Sequence, residues 1–275
     1  MKIIYSIFPK FYKHLDPHGL AEVVRRVGLD TTNVIIRDGY WVTAAGLKTE
    51  LPVFVSAMRD EGLNIHFATS GYSAEELIAD PSPLGILADN GIKEFRMAYF
   101  QPLGHDVRGG FIRVREQLEQ LAPLCERYGV RAVYQLHAGT LVTSPSAAWM
   151  IVNDLPPEWI GVEIDPGNQA YEGYENWFRS ARLLREYVVA AGVKDAAIKQ
   201  DIAHADDPGK GWGRPFVPLY EGITNWHDFV KALAEIDFSG TFVFMPFYDS
   251  ENPDVMTEKL AREVAYLRSI VATMD

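Results

Sequence analysis

The sequence predicts a single-domain α/β fold, a (β/α)8 barrel over residues 1–275, on three observations. Short apolar runs alternate with segments of helical periodicity eight times, the pattern of a parallel sheet with helices outside it. The length of 275 residues is close to the roughly 250 typical of an eight-fold barrel. Several apolar runs end in polar side chains, as strands do where a barrel presents a site at its C-terminal face. An open doubly wound sheet is the competing architecture, but eight units favour closure. No composition shift, linker or low-complexity stretch divides the chain.

The elements follow in order. Residues 2–8 read as the first strand, and Asp16-Pro17 opens a helix running to Gly28, because proline is tolerated in a first helical turn. Residues 33–37 form the second strand, closed by Asp38-Gly39, and residues 51–61 the helix after it. Residues 63–68 read as strand three, ending near His66 and Thr69, before a helical region at 74–90 broken by Pro81 and Pro83. Residues 94–99 are strand four, and the spacing of Val114, Leu118, Leu121 and Cys125 marks the next helix. Residues 131–136 are strand five, 146–155 a short helix and 159–164 strand six. The stripe Trp177, Ala181, Leu184 and Val188 carries the sixth helix, which places strand seven at 196–200. A Gly-, Pro- and Trp-rich loop at 201–224 exceeds ordinary loop lengths and points to a role over a site. Residues 225–236 are helical, 241–245 are strand eight, and Met256, Leu260, Val264, Leu267 and Val271 trace the last amphipathic helix.

Composition excludes several functions. A formal net charge of -11 disfavours binding to nucleic acid or to an anionic membrane surface. The single cysteine, Cys125, permits no intrachain disulfide and reads as a small buried apolar residue. The N-terminal residues lack the pattern of a signal peptide, and no stretch approaches the ~20 apolar residues of a membrane span. The expected location is cytoplasmic.

Chemistry concentrates in two stretches, Tyr134-Gln135-Leu136-His137 and Gly161-Val162-Glu163-Ile164-Asp165-Pro166-Gly167-Asn168. Strand periodicity puts Gln135 with His137 on one face, and Glu163 with Asp165 on one face. His137 is the best general base, since imidazole titrates near neutrality; the alternative is a hydrogen-bonded structural or sugar-binding histidine. Asp165 with Asn168 reads as a substrate clamp, or Asp165 as the partner of a cation. Lys199, at the end of the predicted strand seven, is placed to polarise a carbonyl as a cation or to form a Schiff base. Its structural alternative is a buried salt bridge to Glu163 or Asp165. Arg37 and Arg96 suit a carboxylate or phosphate, or a structural role beside Glu163. Lys10, Trp41, His66 and Tyr99 read as pocket wall. No phosphate-cradling loop, zinc-binding helix or nucleophile elbow is present, which slightly favours an unphosphorylated sugar.

With these residues in view, the chain resembles the xylose isomerase-like TIM barrel family, the sugar phosphate isomerase/epimerase group. The markers are Ser6-Ile7-Phe8-Pro9-Lys10-Phe11, Ile36-Arg37-Asp38-Gly39, Phe95-Arg96-Met97-Ala98-Tyr99, Gln135-Leu136-His137-Ala138-Gly139, Asp165-Pro166-Gly167-Asn168 with Glu172-Gly173, Ile198-Lys199-Gln200-Asp201 and Pro218-Leu219-Tyr220-Glu221-Gly222. The resemblance implies a divalent metal held by Glu, Asp, His and Glu at the ends of strands five to eight. The matching positions here carry Gln135 and Asp165, no His in the predicted strand seven and no Glu in 244–247. One anionic ligand remains, so the expectation is no cofactor, with a divalent metal such as Mn or Mg as the alternative. Glu221 lies where the resemblance places a Gly-Glu-Gly turn and reads as structural before catalytic, with substrate contact the remaining role. The function implied is sugar isomerase/epimerase-like proton abstraction next to a carbonyl of a carbohydrate or keto-sugar. The alternatives are a 3-keto-glycoside lyase/hydrolase-type activity and a non-catalytic sugar-binding or partner subunit. The partner expected is a small-molecule sugar, and homo-oligomers are common among such barrels.

Overall fold

The computed structural model describes residues 1–102, 104–207 and 209–274. Its barrel strands are β1 (Lys2–Ile7), β2 (Thr31–Thr32 continuing into Val34–Ile36), β3 (Phe67–Ser70), β4 (Glu94–Arg96), β5 (Arg131–Gln135), β6 (Ile160–Ile164), β7 (Val188–Val193) and β8 (Ser239–Phe244). Neighbours are parallel throughout, in the order β1-β8-β7-β6-β5-β4-β3-β2. Strand β2 closes the ring, because Thr31–Thr32 pairs with β1 while Val34–Ile36 pairs with β3. Asn33 sits at that seam, accepting from Ser6 Oγ at 2.7 Å and donating to Thr69 Oγ1 at 3.4 Å. A buried amide so placed satisfies polar groups from both flanking strands.

The helices are α1 (Pro17–Val27), α2 (Leu47–Asp60), α3 (Ala74–Ala79), α4 (Ser82–Asp89), α5 (Val107–Tyr128), α6 (Pro145–Val152), α7 (Pro166–Gln169), α8 (Trp177–Leu184), α9 (Trp226–Ala234) and α10 (Pro253–Val271). Their apolar stripes face the sheet. Val114, Leu118, Leu121 and Cys125 of α5 are buried, as are Met256, Leu260, Val264 and Leu267 of α10. Because helices cover the outer face and side chains fill the inner one, the strands read as near-continuous apolar runs. Inside the barrel, Phe67, Val133, Val189 and Ala190 form a layer drawn from the alternate strands β3, β5 and β7, as barrel interiors require. None of the described helices is long and apolar enough to cross a membrane.

Two strand assignments differ from the sequence reading. The helix ending the Trp177 stripe stops at Leu184, and a 3-10 turn at Arg185–Tyr187 leads into β7 at Val188. Strand seven is therefore Val188–Val193, eight residues earlier than expected, and Ala196 is not in it. Strand three begins at Phe67, so His66 precedes it instead of lying near its end. The stretch between β7 and α9 is a long excursion with hairpin pairing. Asp195–Ala196 pairs antiparallel with Phe216–Val217, and Lys199–Gln200 with Trp212–Gly213 further out.

Candidate active site

A pocket of about 150 Å³ opens at the C-terminal ends of the strands. Phe8 and Lys10 follow β1, Arg37 follows β2, Thr69 is in β3, and Arg96 and Tyr99 come from β4 and its loop. Gln135 and His137 come from the end of β5, Lys194 follows β7, and Met245 and Phe247 follow β8. The chain direction and the period-two alternation of each strand converge these side chains on one mouth.

The floor is a hydrogen-bonded chain running across the barrel. Arg96 Nη1 and Tyr99 Oη donate to Gln135 Oε1 at 2.9 and 2.7 Å. Arg96 also donates to Tyr99 Oη. Gln135 Nε2 donates to Asp165 Oδ2 at 2.5 Å. Arginine can only donate and a carboxylate accepts, so the orientation of the Gln135 amide follows from its partners. Lys194 Nζ closes the chain at 3.1 Å from Asp165 Oδ2, with the lysine side chain 4% exposed and the aspartate 0%. Asp165 further accepts from Asn168 N and Nδ2, both at 2.9 Å, capping the short helix α7. Two glycines make room for this cluster. A Cβ at Gly192 in β7 would stand 2.6 Å from Asp165 Oδ2, and one at Gly167 would stand 2.5 Å from Lys194 Cγ. Larger residues at either position would displace the pair.

His137 packs on Tyr99, with ring centroids 4.3 Å apart. Its Nδ1 lies 2.8 Å from the Ala138 carbonyl oxygen. A carbonyl only accepts, so the proton sits on Nδ1 and the neutral ring keeps its lone pair on Nε2. Burial, reinforced by Lys194 and Arg96, holds the imidazole below its ordinary value despite the opposing Ala138 bond and Asp165. Glu163, fully buried one strand step below Asp165, is pushed by burial to about 8, against the attraction of Arg96. Burial also lowers Lys10, with repulsion from Arg37 and Lys194 adding to it, and lowers Arg37, with Arg96 adding to it.

Of the residues singled out from sequence, Lys10, Arg37, Arg96, Tyr99, Gln135 and His137 do line one pocket, and Asp165 lies beneath them through Gln135. Others are placed elsewhere. Lys199 is exposed in the outer pairing of the excursion and lies outside the barrel, because strand seven ends six residues before it. Lys194 occupies the strand-end position instead. His66 sits at the N-terminal end of β3, 3.0 Å from Thr241 Oγ1, away from the pocket mouth. Trp41 turns outward, donating to the Leu15 carbonyl at 2.9 Å and packing on Phe54 of α2. Asn168 is buried with its amide committed to Asp165 and the Leu136 carbonyl, so it positions the aspartate and does not face a ligand. Glu221 is exposed in a 3-10 turn outside the pocket. Sequence reasoning missed Lys194, Phe8, Thr69, Met245 and Phe247. A signal for Lys194 was present: Val188–Val193 followed by Lys194-Asp195 repeats the pattern of Ile160–Ile164 followed by Asp165.

A closed parallel barrel with a polar pocket at the strand C-termini defines the class as a (β/α)8 barrel. Residues 87–270 match the xylose isomerase-like TIM barrel family, and the chain belongs to it. Among solved structures, a D-psicose 3-epimerase with D-tagatose from Clostridium cellulolyticum H10 is similar at TM-score 0.70 and 16% identity, over 98% of this chain and 99% of that one. A 3-keto-D-glucoside 4-epimerase from E. coli is similar at TM-score 0.70 and 15% identity, with the same coverage of 98% and 99%. A probable 3-DHS dehydratase involved in petrobactin synthesis from Bacillus anthracis is similar at TM-score 0.70 and 17% identity, again over 98% and 99%. These likenesses concern the fold. Among curated proteins the chain has no significant match.

The family resemblance brings a divalent metal into question at the ends of β5 to β8. The structure puts Gln135, Asp165, Lys194 and Met245 there. That set offers one carboxylate, already bonded to an ammonium, an amide and Asn168. Hard divalent ions take several oxygen ligands, and a lysine cation 3.1 Å from the sole carboxylate repels them. Among the described residues no group of three or more His, Cys, Asp or Glu is arranged to hold a metal. The residues at these positions do not fit the group.

Proposed function

We propose that the chain is a sugar isomerase/epimerase-like enzyme that removes a proton next to the carbonyl of a carbohydrate or keto-sugar. His137 is the base and Lys194 the cation that receives the developing oxyanion. The observation that carries this reading is the placement of the Lys194 ammonium at the end of β7, in the same pocket as the unprotonated Nε2 edge of His137. Lys194 takes the part first assigned to Lys199, and Asp165 anchors it as a positioning residue.

In the proposed step, Nε2 of His137 accepts the carbon-bound proton. The C–H electron pair becomes the carbon–carbon double bond of an enediolate, and the carbonyl electrons move onto oxygen. That oxygen faces Lys194 and Arg96, whose fixed charges favour it over the neutral ground state. Burial favours the neutral form of His137, which suits it to enter the step as a base. Return of the proton from His137 to the adjacent carbon, with the hydroxyl proton passing between the two oxygens, gives isomerisation, and protonation of the opposite face by water gives epimerisation. Departure of a β-substituent gives elimination, as a keto-glycoside lyase requires. No step is routed through a metal, because the strand-end residues do not suit one. The sugar epimerases among the structural neighbours are consistent with this reading.

The test is carbon-bound hydrogen exchange in D2O, followed by NMR over a panel of ketoses and 3-keto-glycosides. His137→Ala is expected to lower the exchange rate at least ~100-fold, the low end for loss of a general base. Tight binding of a panel sugar without exchange in the wild type would instead favour the sugar-binding role.

A further inference from the structure

We infer that the substrate of this pocket carries an oxyanion group, a carboxylate or a phosphate, held between Lys10 and Arg37. The inference rests on the reading of the pocket as a carbohydrate site and adds the class of carbohydrate.

The chain holds 37 acidic against 26 basic side chains, yet the pocket inverts that balance. Lys10, Arg37, Arg96 and Lys194 line it, and none of the described lining residues is acidic. Two of the four cations are occupied. Lys194 pairs with Asp165, and Arg96 donates to Gln135 and Tyr99. The other two are not. Among the described residues the Arg37 guanidinium has neither a hydrogen bond nor an ion pair, although it is partly buried. Among the described residues Lys10 Nζ has no carboxylate partner, and it lies over the rings of Phe11 and Phe247 at 5.4 and 4.7 Å. Two unpaired cations on adjacent strands, repelling each other and partly dehydrated, are costly unless something offsets their charge.

The hydrogen-bonding character of the wall points the same way. A neutral polyol presents donors as well as acceptors and needs acceptors in return. Here the Gln135 oxygen already accepts two bonds and its nitrogen is committed to Asp165. What remains free at Lys10 and Arg37 is donor only. A planar guanidinium fork beside an ammonium matches a carboxylate or a phosphate. A cationic mouth in an acidic protein also focuses the local field on anions. Lys10 and Arg37 follow β1 and β2, and His137 follows β5. The clamp therefore holds one end of the ligand across the mouth from the base.

The experiment uses three ketohexose probes that differ only at C6: D-fructose, D-fructuronate and D-fructose 6-phosphate. Binding is measured calorimetrically at low ionic strength, and exchange in D2O is read separately on the same probes. At least one anion is expected to bind about tenfold or more tightly than D-fructose, the order of a charge-assisted contact, with the preference shrinking as salt is added. The tighter of the two identifies the group as carboxylate or phosphate. The double variant Lys10→Gln/Arg37→Gln, checked for folding by circular dichroism, is expected to bring all three probes to similar affinity. Equal affinities in the wild type, or no binding by either anion, overturn the clamp, as does an anion preference that survives in the double variant. Anion preference without exchange leaves the clamp standing and breaks the proton-abstraction reading. Exchange on D-fructose without anion preference does the reverse.

Discussion

Lys194 and Asp195 are consecutive residues with opposite destinations, and the two polar clusters they enter differ in kind. Asp195 is buried behind the barrel rim and accepts four bonds: from Ala196 N at 2.8 Å, Thr224 Oγ1 at 2.9 Å, Thr224 N at 3.1 Å and Trp226 Nε1 at 2.9 Å. Both oxygens are satisfied by neutral donors, and the cluster pins the end of the long excursion to the start of α9. On the pocket side, Lys194 belongs to a group in which positive charge exceeds negative, and two cations have no carboxylate among the described residues. A saturated buried network stabilises the fold by itself. One with an excess of positive charge is stabilised by an anion that binds to it.

The two clusters differ most in what they contribute to stability. Asp195→Ala leaves the indole N–H of Trp226 and two donors of Thr224 unpaired in the interior. It is expected to cost about 3 kcal/mol or more in urea unfolding. Arg37→Gln, on the pocket side, is expected to change stability by no more than ~0.5 kcal/mol or to raise it, since no protein partner is lost. Equal losses in the two variants would mean that Arg37 has a structural partner after all.

The next effect is a pH slope. Glu163 lies under the pocket floor, and one of its carboxyl oxygens has no hydrogen-bond partner. Its folded value, near 8, lies above the ordinary 4.5, so the folded protein binds more protons between them. The stability contributed by this group is full below about 4.5 and is lost as pH rises through 8. Glu163→Gln is expected to reduce the fall in stability over that window by at most ~1.4 kcal/mol per pH unit. Glu263, buried against Tyr248 and likewise near 8, leaves a residual slope in the variant. An unchanged slope would place Glu163 in an ionised state throughout.

The smallest expected effect concerns the other lysine. Lys199→Ala is expected to leave exchange and probe affinity within about twofold, as for an exposed side chain away from the site. A loss comparable to that of His137→Ala would bring the outer excursion over the pocket during turnover.

Much of this arrangement was legible in the residues. Period-two alternation placed Gln135 and His137 together, and the polar ends of strands five and six pointed to the floor. The neighbouring errors have physical causes. Val188 continues the helical stripe of Trp177, Ala181 and Leu184 and also opens an apolar strand, so both periods fit it. Pairing with β6 and β8 decides between them. Leu63 and Ile65 are buried like strand residues, which drew strand three early and carried His66 to the wrong end of the barrel. Trp41 is an aromatic in a loop, and its bond to the Leu15 carbonyl and its packing on Phe54, both remote in sequence, send its ring outward.

By itself the sequence determined the number and order of strand–helix units, the barrel they imply, and the neutral residues at the ends of strands five and eight. These are properties of local periodicity and residue type, which near neighbours settle. Tertiary structure alone decided which lysine faces the pocket, that Asn168 is committed to Asp165, and that Lys10 and Arg37 line one pocket with no carboxylate partner among the described residues. Those facts depend on strand register and on contacts between residues far apart in the chain, and a shift along the chain redirects every side chain that follows.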